Sequence, residues 1–257
     1  MLVHPLQVPL WTDLAAVVVG ALAGSVIAAR ERYDVFGTLL LAVVMGLGGG
    51  IARDLLLGLR PVAITSRYYI PTVAVAAVAG LLFTSLVRRL RIVFTLLEAL
   101  SDGLFTIAGV EKALLYSLPY ASAAFVGVAA AITGGLLADV LGGRTVEAVK
   151  RGPWNATAAL GGAVVYIVTA EVHSPDWVSR LAAFVVVVGM RLASAHWGLQ
   201  TPAVPDVGEK IAPRAGVLPS AGRRADRPPG DGDGDGEAAG DSPPAGTDPR
   251  SGDEPGG

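Results

Sequence analysis

Seven predominantly apolar stretches, at about 10–29, 35–59, 68–87, 92–115, 119–141, 154–170 and 177–197, alternate with short charged connectors along the chain. At 1.5 Å of rise per helical residue, about 20 residues cross the roughly 30 Å of bilayer hydrocarbon. The pattern therefore predicts an all-α integral membrane protein of seven transmembrane helices. Arg30, Glu31 and Arg32 end the first stretch, Arg60, Pro61 and Arg67 separate the second from the third, and Arg88, Arg89 and Arg91 close the third. Arg144, Lys150, Arg151 and Pro153 follow the fifth. The first stretch lacks a basic leader and runs straight to full span length, so it is expected to stay in place as a helix.

Two stretches depart from simple hydrophobicity. The fourth carries Glu98, Asp102, Glu111 and Lys112. At 100° per residue, Glu98, Asp102, Gly109 and Lys112 fall within about 80° of one another and should face protein or water. The second holds GGGIARDLLLG, from Gly48 to Gly58. Three successive glycines, Gly48, Gly49 and Gly50, predict a helix break or kink, which inside a bilayer lines a protein-buried or wetted pathway. Close helix packing through small residues is the plainer alternative.

Arg53 and Asp54 follow at once. Adjacent helical positions point about 100° apart, so the expectation is that they do not pair with each other. Arg53 should then reach an acid on another helix, with Asp139, Glu98 and Asp13 as candidates, because a lone buried guanidinium is costly. Lys112 is either a gating charge or a cation pairing with the acids of its own span or snorkelling to the surface.

The chain also repeats itself. Gly134 lies 134 − 49 = 85 residues beyond Gly49, and the same offset relates Gly24 to Gly109, Gly50 to Gly135, Asp54 to Asp139, Gly58 to Gly143 and Asp13 to Glu98. A duplicated unit of three spans inserts its second copy upside down, because three is odd. The expected organisation is a first repeat over 1–92, a second over 93–171, a seventh helix over 172–199 and a tail over 200–257. The two glycine breaks would then meet near the membrane midplane, offering free carbonyls and amides to a cation.

Composition sharpens this picture. The 257 residues are 52% hydrophobic, with mean hydropathy +0.55. The tail takes 11 of the 22 acidic and 6 of the 20 basic residues, so the part ahead of it carries 11 acids and 14 bases. Its cations concentrate in the first, third and fifth connectors, which predicts an external N-terminus and a cytoplasmic C-terminus in the plasma membrane. The Pro-, Gly- and Asp-rich tail predicts disorder. Its Asp231-Gly-Asp233-Gly-Asp235-Gly236 run opens like a calcium loop, but Ser242 stands where the bidentate Glu belongs. Cysteine is absent, which excludes disulfides and thiolate chemistry, and His4, His173 and His196 are scattered. No metal site, enzyme active site, cofactor or nucleic-acid partner is expected.

These residues resemble the trimeric intracellular cation (TRIC) channels, in particular their bacterial members, a family that also carries a "glycine transporter" label. The carriers are GGGIARDLLLG from Gly48, DVFGTLLLAVVMGL from Asp34, LFTIAGVEKAL from Leu104 and GGLLADVLGG from Gly134. The resemblance implies a homotrimer in the lipid bilayer whose protomers each hold a pore for monovalent cations, K⁺ or Na⁺ and chiefly potassium. The pore-side kinks would be Gly48, Gly49 and Gly50 and, in the second copy, Thr133, Gly134 and Gly135. Thr133 replaces the first glycine of the second triplet, and Ala138 stands where an arginine matching Arg53 would fall. A secondary transporter of a small amino acid such as glycine is the competing reading, since inverted repeats and midplane breaks suit it equally.

Overall fold

The computed structural model describes residues 10–87, 91–144, 146 and 154–199. The tail over 200–257 with its calcium-like run, His4, Arg88, Arg89, Lys150 and Arg151 lie outside the described residues. Eight helices are described: α1 Leu10–Arg30, α2 Val35–Leu56, α3 Val62–Thr65, α4 Tyr69–Val87, α5 Arg91–Leu115, α6 Tyr120–Leu141, α7 Asn155–Glu171 and α8 Asp176–Trp197. The long helices coincide with the seven apolar stretches to within a few residues at either end. Five of them, α1, α2, α5, α6 and α8, are long and apolar enough to cross a membrane. The protein is an all-helical membrane protein. The single turn α3 was not expected from the pattern. Pro61, which needs no backbone partner for its nitrogen, starts it by accepting the Ile64 N–H at 3.0 Å.

Local chemistry sets the helix ends. Asp34 caps α2 by accepting the Gly37 N–H at 2.7 Å. Gly58 and Gly143 close α2 and α6 in left-handed backbone, at φ 68° and 62°. In both, the next residue donates its N–H back to the carbonyl of Asp54 or Asp139 at 2.8 Å. The repeat spacing seen in the sequence thus reproduces one helix-ending motif twice.

Packing repeats at the same offset. A Cβ on Gly24 would run into the backbone of Leu41 and Ala42, and one on Gly109 would stand 2.7 Å from the Gly127 Cα and 3.1 Å from the Val126 carbonyl oxygen. Backbones therefore pass in close contact where α1 meets α2 and where α5 meets α6. Around these crossings the core is built largely from alanine, valine and glycine, with Ala16, Ala21, Ala108 and Ala130 fully buried.

The expected helix breaks do not occur. The α-helix α2 continues through Gly48, Gly49 and Gly50, and α6 continues through Thr133, Gly134 and Gly135. Unsatisfied amides and carbonyls in an apolar interior cost several kcal/mol each, more than the roughly 1 kcal/mol per glycine lost in helix propensity. The glycines serve close approach instead: a Cβ on Gly48 would lie 3.3 Å from the Gly134 Cα, and one on Gly134 would lie 2.9 Å from the Met45 carbonyl oxygen. No free backbone stubs stand at these positions to solvate a cation.

Candidate functional site

At one end of the bundle, where α1 and α4 begin and α2 and α5 finish, Asp13, Arg53, Asp54, Tyr69 and Lys112 converge. Arg53 is 1% exposed. Its two terminal nitrogens donate to both oxygens of Asp13, at 2.6 and 3.0 Å. Tyr69 donates its hydroxyl to Asp13 Oδ2 at 2.7 Å. The Arg53 Nε donates to Asp54 Oδ1 at 2.9 Å, and Lys112 Nζ donates to that same oxygen at 2.8 Å. The backbone N–H of Val62, the first residue of α3, satisfies Asp54 Oδ2 at 2.8 Å. Each buried charge here has hydrogen-bonded partners of opposite sign, the condition under which such groups are tolerated inside a protein.

Of the three acids offered as partners for Arg53, Asp13 is the one it meets. The expectation that Arg53 and Asp54 would not pair is corrected: the flexible arginine stem curls back, so Cβ directions 100° apart do not keep the head groups separate. Lys112, largely buried, crosses to Asp54 on α2 instead of pairing with the acids of its own helix.

A second ionic cluster occupies the opposite end, where α5 and α7 begin and α1, α6 and α8 finish. Arg191 lies 3.0 Å from Asp102 Oδ2 and 3.3 Å from Glu98 Oε2, and it also donates to the side-chain oxygen of Asn155. Arg144, just past α6, donates to Asp139. The acids equivalent to Asp13 and Asp54 are therefore again paired with arginine, although Ala138 replaces the arginine of the second motif. Helix α8 supplies the missing charge from outside the repeat. Arg191 and Arg180 were not singled out from the sequence, although a cation inside an apolar span is itself a signal. Arg180, near the start of α8, pairs with the fully buried Glu111 at 2.5 Å, at the same end of the bundle as the Arg53 cluster.

Each ionic cluster opens on a cavity. The first, of about 10 Å³, is lined by Asp13, Gly50, Arg53, Asp54, Tyr69 and Phe105 among others. The second, of about 40 Å³, is lined by Glu98, Asp102, Phe105, Gly135, Asp139 and Arg191 among others. The larger has room for two or three water molecules and polar groups to hold them. Gly50 and Gly135, related by the repeat, have nothing within 4 Å of a would-be Cβ, so both leave open space beside their cavities. Gly48, Gly49 and Gly134 are the packing glycines. Thr133 donates its hydroxyl to the Ala129 carbonyl at 2.6 Å, within its own helix. Among the described residues no group of three metal-ligating side chains comes together.

These features define a multi-pass helical membrane protein with a charged, partly hollow interior at each end of one bundle. Residues 10–88 and 95–171 match the family described as "Glycine transporter". The chain belongs to that family, which unites the TRIC channels with the UPF0126 membrane proteins. The UPF0126 inner membrane protein YadS of Escherichia coli is 32% identical over 198 residues, covering 75% of this chain and 94% of that protein. A UPF0126 membrane protein of Deinococcus radiodurans is 27% identical over 194 residues, covering 75% and 90%. Among solved structures, the TRIC trimeric intracellular cation channel orthologue from Rhodobacter sphaeroides is 30% identical, covers 74% of this chain and 97% of its own, and superposes with a TM-score of 0.69. A second structure, described under conductance through TRIC cation channels, is 25% identical, covers 77% and 98%, and has a TM-score of 0.68. The two matched stretches of this chain begin at residues 10 and 95, the same offset as the internal landmarks.

Proposed function

We propose that the protein is a monovalent cation channel, chiefly for potassium, in which each protomer of a homotrimer carries its own pathway through the plasma membrane. The observation that carries this reading is the pair of ionic cavities at opposite ends of the bundle, each beside one glycine-rich helix of a repeat. Carboxylates in both, Asp13 and Asp54 in one and Glu98, Asp102 and Asp139 in the other, would favour cations over anions. The kinship with proteins described as cation channels supports the same conclusion. No reaction is catalysed and no cofactor is required; K⁺ or Na⁺ is the permeant species.

The arrangement proposed is two inverted repeats over 1–92 and 93–171, a seventh helix over 172–199, and a cytoplasmic tail over 200–257. Arg30, Arg32 and Arg144 support an external N-terminus and a cytoplasmic C-terminus. In this reading the pathway skirts Gly50 and Gly135, not broken helices at Gly48–Gly50 and Thr133–Gly135. Reconstitution in planar bilayers tests it. Unitary current steps carried by K⁺ and Na⁺ are expected, whereas saturable glycine uptake without such steps would replace the channel by a carrier.

A further inference from the structure

Phe105 is the one residue among the described residues that lines both cavities. It sits on α5, is 3% exposed, and is surrounded by small partners, with Ala16, Ala130, Ala131 and Ala159 in the same cluster. Two of its ring carbons lie 3.1 Å from where a Cβ on Gly49 would stand. Any larger residue at 49 would displace the ring, so the glycine of α2 reserves its place. Asp102 and Glu98 stand about one and two turns before it on the same helix, and Lys112 about two turns beyond, so polar groups flank the ring toward both ends.

We propose that the Phe105 ring is the gate of the cation pathway: a single apolar septum that closes the 10 Å³ cavity from the 40 Å³ cavity and must turn aside for an ion to pass. The proposal rests on the channel reading and adds to it the residue that blocks the path. The physics is that of a hydrophobic constriction. A dehydrated cation gains nothing from a phenyl edge and alanine methyls, so a gap too narrow for hydrated passage is closed without any charge. Phe105 has only two side-chain torsions, and the other buried members of its cluster are all alanines.

The chain has no cysteine, which makes accessibility a clean readout. Single cysteines at Gly50→Cys and Gly135→Cys, both with open space for a Cβ, are exposed in proteoliposomes to Ag⁺ from one side or the other. With Phe105 present, Ag⁺ should modify each cysteine rapidly from opposite sides only. In Phe105→Ala, each should become reactive from both sides, and K⁺ open probability should rise about tenfold. Phe105→Trp should lower it, and Phe105→Leu, which keeps apolar bulk, serves in place of the alanine variant if that protein does not assemble; it too should raise open probability. Cysteines reached equally from both sides with Phe105 intact, or unchanged sidedness and flux in an assembled Phe105→Ala or Phe105→Leu protein, would overturn the gate while leaving a conducting wild type as a channel. Two-sided modification in Phe105→Ala without ion current in any variant would keep the septum and defeat the channel reading instead.

Discussion

Arg53, in the last turn of α2, grips Asp13, in the first turn of α1, with both terminal nitrogens, at 2.6 and 3.0 Å. The pair joins residues 40 apart in the chain and is nearly sealed from solvent. Removing one member leaves the other charged and buried, which costs about 3–5 kcal/mol. Asp13→Asn and Arg53→Gln should each lower the thermal midpoint of the purified protein sharply. The double variant should lose less than the two losses added together, because it leaves no orphaned charge. Strict additivity in a double-mutant cycle would show that the pair does not stabilise the fold as a unit.

Two neighbouring glycines should behave oppositely. Gly49→Ala drives a methyl group into the Ala130 carbonyl and the Phe105 ring, a backbone collision that overpacking estimates put at about 1–3 kcal/mol. Gly50→Ala meets nothing within 4 Å and gains up to about 1 kcal/mol in helix propensity. Thermal unfolding in one detergent distinguishes them. Equal loss in both would restore the hinge that the glycine triplet suggested.

Arg191 should be needed because α8 lends it to the acids of the second repeat. Arg191→Gln leaves Glu98 and Asp102 without that cation and should destabilise the protein by about 3 kcal/mol or more. Adding Glu98→Gln and Asp102→Asn to the same protein should recover much of the loss. If the triple variant unfolds no later than the single one, charge balance is not what Arg191 provides.

Gly58 and Gly143 supply matched predictions. Each ends its helix at positive φ, where an alanine costs about 1–2 kcal/mol. The two sites belong to opposite ends of the bundle, so Gly58→Ala and Gly143→Ala should destabilise by similar amounts and add in combination. Chemical unfolding of the three variants checks this, and a strongly unequal pair would separate the two repeats in their energetics.

The helices themselves were legible because the apolar stretches run for about the length of a membrane span and most of them end in arginine, glycine or proline. The repeat was legible for a similar reason: Gly24 and Gly109, or Gly58 and Gly143, answer local steric demands that recur wherever the motif does. What the triplet at Gly48 would do was not legible. Glycine permits both a break and a close contact, and the choice depends on whether another backbone is there to fill the groove. The Gly134 and Ala130 backbones of α6 fill it.

Hydrophobic length, charge at the connectors and the spacing of landmarks are one-dimensional properties, so the order of residues alone determined a helical membrane protein made of two related halves. Pairing is three-dimensional. Only the packed bundle decided that Arg53 takes Asp13, that Lys112 crosses to Asp54, that Arg191 replaces the arginine absent at Ala138, and that Phe105 lines two cavities. Long flexible cations can reach several acids from one helical position, and the acid each finds is set by which helices the small residues allow to touch.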